Sequence, residues 1–473
     1  MALIEDGGAP AEDKAAGPQV AGCQCGCERD RHLFCPGPKR ILALDGGGVR
    51  GAITVAFLEQ IEKVLAERFD KPVHLANWFD LIGGTSTGAV IAGALAMGYT
   101  TEDIRNFYLK LAPKVFKWSL WRLIRLKPKF DAEALRKEIE YVVGERTLDS
   151  VDLHTGFCLI SKRLDTGSPW IVANNKRNRY WDTKTGEDGY IGNRYYKLAN
   201  LVRASTAAPF YFEPETLEIV EGQNGLEGQK GLFVDGGVTP HNNPSVMLFL
   251  MSILEAYKIR WKANPDNLTI VSIGTGTNRG RVVPEELGMG WTLKMTYHAL
   301  MSLMNDIQTF ALMQMQYLGQ CLTPWWINSE VEALENERPI NGKMFRFMRY
   351  DVQLELPWIE KELGPEAETI LGRKLTQTDV TRWRSMDDPT IIEEIYKLAQ
   401  IAARKQVKAE HWIGDLACWC NGRRPSAQPR TMVPRAPEPL PAGYVIWRSV
   451  AKGASYVRSW LVRRVPGPPS PNE

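Results

Sequence analysis

An α/β fold, a mostly parallel sheet wrapped by helices, is predicted by three features of the sequence. Short apolar runs alternate with helical stretches from Arg40 onward, two glycine-rich turns each join such a run to a helix, and later apolar runs are bounded by turn residues. ILALD at 41–45 is a buried strand, GGGVRG at 46–51 a turn, and AITVAFLEQIEKVLAERF a helix of 3.6-residue period. WFDLIGG supplies the next strand, TSTG a tight turn and AVIAGALAMG a helix of small residues. FCLISKRL, PWIVANN, LFVDGG and LTIVSIGTG are further strand candidates, separated by stretches such as LVRASTAAPFYF.

The remaining chain divides by composition. Residues 1–38 are rich in Gly, Ala, Pro and charge without an apolar period, and predict a disordered leader carrying a cysteine cluster. The α/β unit occupies 39–280. A mostly helical extension at 281–424 is expected to pack on it, with LGMGWTLKMTYHALMSLMNDIQTFALMQMQYLGQ as one or two Met-rich helices that fill gaps or line an acyl groove. A proline-rich linker and a basic amphipathic tail make up 425–473.

Bulk properties bound the function without naming it. The chain has 473 residues, 44% hydrophobic and 24% charged, with 58 basic against 55 acidic side chains. That balance gives no nucleic-acid signal, so no nucleic-acid partner is expected. The eight cysteines (Cys23, Cys25, Cys27, Cys35, Cys158, Cys321, Cys418 and Cys420) fit reduced thiols better than a disulfide framework. Their Cys-x-Cys-x-Cys run lacks zinc-knuckle spacing; a site of terminal cysteines with His32 is the weaker reading, and no metal is expected. MALIEDGGAPAEDK has neither a basic nor an apolar signal region, so a cytoplasmic setting is the default. No stretch reaches 18 uninterrupted apolar residues.

Three motifs carry chemistry. Gly84-Thr85-Ser86-Thr87-Gly88 lies between a strand and a helix, where terminal glycines let the backbone lift the Ser86 hydroxyl clear of the sheet. Taken alone it is equally an ordinary strand-to-helix connection. Asp45-Gly46-Gly47-Gly48-Val49-Arg50-Gly51 fits a dinucleotide loop or an oxyanion hole, since bare N–H groups at a helix start serve either. The missing acidic residue at the next strand disfavours the dinucleotide, and a Walker loop would need Gly-Lys-Ser/Thr. Adjacent parallel strands would bring this loop and Ser86 to one sheet edge. Asp235, closing LFVDGG with Gly236 and Gly237 behind it, is the favoured base; desolvation would have to raise its pKa for that role. His241 or His298 would complete a histidine triad only formally.

Together these residues resemble the patatin-like phospholipase family, whose glycine-rich D-G-G-G-x-R-G, G-x-S-x-G and D-G-G/A motifs occur here in that order. The likeness covers roughly 39–280, including RASTAAPFYFEP and SIGTG. It implies a three-layer α/β/α architecture with a mostly parallel central sheet and a helical C-terminal extension. It further implies a Ser86–Asp235 catalytic dyad, an oxyanion hole at Gly46, Gly47 and Gly48, and motif support from Arg50, Gly51, Gly84, Gly88, Gly236 and Gly237. No cofactor is implied.

The resemblance implies a membrane phospholipid or another acyl lipid as substrate, cleaved through an acyl-Ser86 intermediate, and allows a homo-oligomer. Two segments are candidates for peripheral membrane contact. One is WSLWRLIRLKPKF at 118–130; the other is 444–465, which sets Trp447, Tyr456, Trp460 and Leu461 beside five basic residues. The alternative function is a ligand-gated effector of antiphage defence, activated by a cyclic nucleotide as some bacterial relatives are, or a regulatory scaffold on the same fold.

Overall fold

A computed structural model describes residues 26–115, 130–183, 189–222, 228–278 and 291–412. Its strands are β1 (Lys39–Leu44), β2 (Leu81–Thr85), β3 (Gly156–Arg163), β4 (Pro169–Ala173), β5 (Glu215–Val220), β6 (Gln229–Asp235), β7 (Leu268–Ile273), β8 (Gly319–Thr323) and β9 (Phe345–Tyr350). The helices α1 (Glu28–Phe34), α2 (Gly51–Phe69), α3 (Leu75–Trp78), α4 (Thr87–Ala96), α5 (Thr101–Val115), α6 (Ala132–Val143), α7 (Leu198–Ser205) and α8 (Ser245–Ile253) precede a long α9 (Trp291–Leu318). Four more follow: α10 (Leu356–Glu362), α11 (Gly364–Leu371), α12 (Gln377–Trp383) and α13 (Ile392–Gln406).

The strands form one nine-stranded sheet in the order β5-β6-β3-β2-β1-β7-β9-β8, with β4 paired to β3. Pairings β1–β2, β1–β7, β2–β3, β7–β9 and β8–β9 are parallel; β3–β4, β3–β6 and β5–β6 are antiparallel. β1 lies at the centre, and its apolar run is what a strand covered on both faces requires. Leu42 and Leu44 pack with α2, α4 and α13 on one face, whereas Ile41 and Ala43 pack with α8, α9 and Leu33 on the other. Side chains that alternate about the strand thus build two apolar layers, and the architecture is α/β/α.

Register sets the functional edge. β1 and β2 run parallel, with Leu44 opposite Gly84, so the turns that follow both emerge on the same side. β3 continues the pattern with Ile160 opposite Thr85. β6 returns antiparallel, bringing its last residue, Asp235, opposite Ser161 and hence level with Ser86.

Four expectations need correction or placement. The end of the leader is ordered: Leu33 is buried, its carbonyl accepts the Trp261 Nε1–H at 2.8 Å, and His32 Nδ1 lies 3.1 Å from Asp80 Oδ1. Local composition concealed this because α1 is stabilised by partners distant in sequence. The extension is more than helical, since β8 and β9 complete the central sheet. Cys35 is disulfide-bonded, while Cys27, Cys158 and Cys321 are free; a cysteine count cannot assign pairing. Residues 118–129 of the first membrane candidate lie outside the described residues, as does all of 413–473 with the second. Among the described residues, no helix is long and apolar enough to cross a membrane.

Candidate active site

Ser86 joins β2 to α4 with φ 55° and ψ −126°. A non-glycine residue so placed costs about 1–3 kcal/mol, which the surrounding structure must hold. Its flanking glycines make the turn possible. A Cβ on Gly84 would lie 2.1 Å from the Gly88 carbonyl oxygen, and one on Gly88 would lie 2.3 Å from that of Leu44. Ser86 N–H donates to Ser205 Oγ at 3.0 Å, and Ser205 Oγ–H donates to the Ile160 carbonyl at 2.7 Å. The Ser86 hydroxyl is left to donate to Asp235 Oδ2 at 2.6 Å.

Asp235 is 4% exposed. Its Oδ1 accepts the Gly237 N–H at 2.7 Å, which orients the carboxylate and presents Oδ2 to Ser86. Burial pushes the carboxyl up to about 6, against the opposing pull of the Ser86 hydroxyl, the Gly237 N–H and the Arg203 cation. The expected desolvated base is therefore chemically available: ionised at neutral pH, yet more basic than a solvated carboxylate. Gly236 packs so tightly that a Cβ there would lie 2.3 Å from the Ile160 oxygen.

The glycine loop reaches the same edge. A Cβ on Gly46 would come within 3.0 Å of Ser86 Cβ, and Gly48 has φ 59° with its would-be Cβ 2.0 Å from the Met386 carbonyl oxygen. The three N–H groups are not equivalent. Gly46 donates to the Asn242 carbonyl at 3.2 Å and Gly47 to the Thr87 hydroxyl at 3.2 Å. Among the described residues, the Gly48 N–H has no acceptor. Gly48 is thus the donor open to a ligand, Gly47 can exchange a hydroxyl for one, and Gly46 is committed to backbone. Gly51 packs where a Cβ would lie 2.5 Å from the Tyr108 hydroxyl, which donates to the Gly48 carbonyl.

Ser86, Asp235 and the glycine loop line a cavity of about 150 Å³ whose walls include Val90, Leu135, Ile139, Phe212 and Met304. Arg50 lines it as well. Among the described residues no histidine does; His241 contributes its backbone carbonyl to the Thr85 hydroxyl, at 2.6 Å, and the His298 side chain lies outside the described set.

Below the loop is a buried ion cluster that local patterning did not disclose. Arg349 donates to Asp45 Oδ2 at 2.7 Å, to Asp351 Oδ2 at 2.6 Å and to Ser272 Oγ at 2.7 Å. Gln308 of α9 also donates to Asp45 Oδ2, at 3.1 Å. Burial raises the Asp45 carboxyl to about 6, and the Arg349 charge opposes it. Ser205, Asn242, Tyr108 and Arg349 are functional neighbours that went unrecognised. Ser205 alone had a signal, its place within RASTAAP.

The structure thus holds a serine hydroxyl and a buried carboxylate in contact beside a backbone N–H, within an apolar cavity of an α/β protein. Comparison with known proteins adds a family likeness: residues 42–249 match the family model described as Patatin-like phospholipase. A cGAMP-activated phospholipase of Escherichia coli (strain TW11681) is 29% identical over 241 residues, covering 50% of this chain and 62% of the relative. Patatin-like protein 4 of Arabidopsis thaliana is 30% identical over 262 residues, covering 50% and 59%. The chain therefore spans less than two thirds of the length of either relative. The solved structure of human GIVD cytosolic phospholipase A2 covers 81% of this chain and 63% of that one at 9% identity, with a TM-score of 0.37, too low to carry weight.

Proposed function

We propose that this protein is a lipid acyl hydrolase of phospholipase A type, a serine esterase acting on membrane lipids. The observation that carries the reading is the 2.6 Å contact between Ser86 Oγ and a buried Asp235 inside an apolar cavity. Asp235 takes the Ser86 proton as Oγ attacks the ester carbonyl. The carbonyl oxygen becomes an oxyanion, received by the Gly48 N–H and by that of Gly47 once it leaves Thr87, within the Gly46–Gly48 oxyanion hole; each such donor is worth about 3 kcal/mol of barrier. Collapse expels the alcohol, which takes the proton from Asp235, and leaves acyl-Ser86. Water then attacks with Asp235 again as base, releasing fatty acid. Each step uses groups of this chain and water.

Hydrolysis of a panel of lipid esters by the purified protein beside Ser86→Ala and Asp235→Asn tests the dyad. Either substitution should lower the rate by about 10³-fold or more. Equal activity in all three proteins would refute it. The names of the relatives support a second reading, in which a bound cyclic dinucleotide switches the same site on. Repeating the panel with and without cGAMP decides between constitutive and gated hydrolysis.

Peripheral membrane contact through 444–465 and 118–130 belongs to this proposal, because aromatic and basic side chains interleave there. Deleting 425–473 should weaken sedimentation with anionic vesicles while sparing hydrolysis of a short-chain monomeric ester. Unchanged vesicle binding removes the tail from the account.

A further inference from the structure

We infer that a second chamber, beside the cavity that holds Ser86, receives the polar head of the lipid and is built for a zwitterion, a phosphate followed by an ammonium group. The inference rests on the acyl-hydrolase reading of the first cavity for its physiological sense, although the binding it asserts can be measured without catalysis. The chamber measures about 80 Å³, and Arg50, Asn305 and Gln308 line both it and the acyl cavity. The two spaces therefore meet along α9.

Their chemistry differs. The first is walled by aliphatic and aromatic side chains around the reactive serine, which suits a hydrocarbon chain. The second is lined in addition by Trp325, Trp326, Glu355 and Gln353. An arginine recognises a phosphate through charge-assisted, forked hydrogen bonds. An indole face and a carboxylate together recognise a quaternary or primary ammonium, by cation–π attraction and by charge.

The order of these groups matches the covalent order of the lipid. In a zwitterionic glycerophospholipid the acyl ester, the phosphate and the ammonium follow one another along the molecule. Here the cation Arg50 belongs to both spaces and stands at their junction, next to the serine cavity. The tryptophans and Glu355 belong to the second chamber alone. A lipid with its ester at Ser86 would thus pass its phosphate by Arg50 and lay its ammonium on the indoles. A neutral diacylglycerol would leave the chamber to water, and an anionic head lacking an amine would meet Glu355 unfavourably.

The full-length Ser86→Ala protein provides the direct test. Titration with glycerophosphocholine, followed by tryptophan fluorescence and calorimetry, should give saturable binding at least tenfold tighter than glycerophosphate. Glu355→Gln and Trp325→Leu should each remove that preference, with circular dichroism confirming the fold. Glu355→Gln changes charge without changing shape, so it stands even if the tryptophan variant misfolds. Equal binding of the two probes, or none of either, overturns the inference.

A catalytic arm uses the active protein on phosphatidylcholine and diacylglycerol of identical acyl chains. The ratio of their kcat/KM values should favour phosphatidylcholine by at least tenfold and collapse in Glu355→Gln; a ratio near one overturns the inference. Bound glycerophosphocholine with no hydrolysis of any lipid would instead sink the hydrolase reading and leave the chamber's specificity standing.

Discussion

In the proposed reaction Asp235 must be charged to take a proton from Ser86, yet it sits where charge is disfavoured. Burial raises its carboxyl from 3.8 to about 6. The pH dependence follows with a definite sign. Below that value the carboxyl is protonated and cannot act as base, so kcat/KM should fall about tenfold per pH unit, whereas above it the rate should level off. Stability runs the other way. A folded-state pKa above the unfolded one means that the fold prefers the protonated form, so this group's contribution is greatest below 3.8 and is lost as pH rises through about 6. A pH series of kcat/KM on a soluble ester checks the first statement, and a flat profile across pH 5 to 7 would exclude Asp235 as the titrating base. Asp45 is also raised to about 6, but its carboxylate is paired with Arg349 rather than hydrogen-bonded to Ser86, whose hydroxyl donates to Asp235.

Legibility varied from element to element for physical reasons. The units from β1 through α2 and from β2 through α4 could be read because each is a local sentence: an apolar run, glycines at the forced turn, then a helix, of 3.6-residue period in α2 and of small apolar residues in α4. The parallel pairing of β1 with β2 followed from that alternation, and with it the meeting of the glycine loop and Ser86. α1 could not be read. Arg29, Asp30 and His32 are buried there, and their cost is offset by Asp149, Lys176 and Asp80, up to 146 residues away. β9 failed for a related reason. FRFMRY places one arginine on each face, Arg346 with one set of alternating side chains and Arg349 with the other, so it has no clean apolar face, yet Arg349 is 1% exposed. Asp45, 304 residues earlier, and Ser272, together with the neighbouring Asp351, explain an arginine at that position. Asn242 was likewise invisible as a partner of Gly46, and RASTAAP marked Ser205 without its role, because a hydroxyl or amide gains its role from what the fold sets opposite it.

At the scale of the whole molecule, the same arginine links the chain's two halves. The family match ends at residue 249, whereas the strand that pins the head of the glycine loop begins at Phe345. The Asp45, Arg349 and Asp351 side chains are all 0% exposed, so removing the cation leaves two carboxylates buried without a countercharge. Breaking a buried pair from one side costs about 3–5 kcal/mol, more than a pair's net worth, because the remaining charge is stranded. Arg349→Met, which keeps an unbranched stem without the charge, should therefore lower unfolding free energy in urea by about that amount. Hydrolysis should fall as well, since Asp45 leads directly into Gly46–Gly48. Adding Asp45→Asn and Asp351→Asn to Arg349→Met should recover most of the stability, because no stranded charge then remains. An unchanged urea midpoint in the single variant would mean that the glycine loop is held without the C-terminal strands, and that residues beyond the family domain are dispensable to the site.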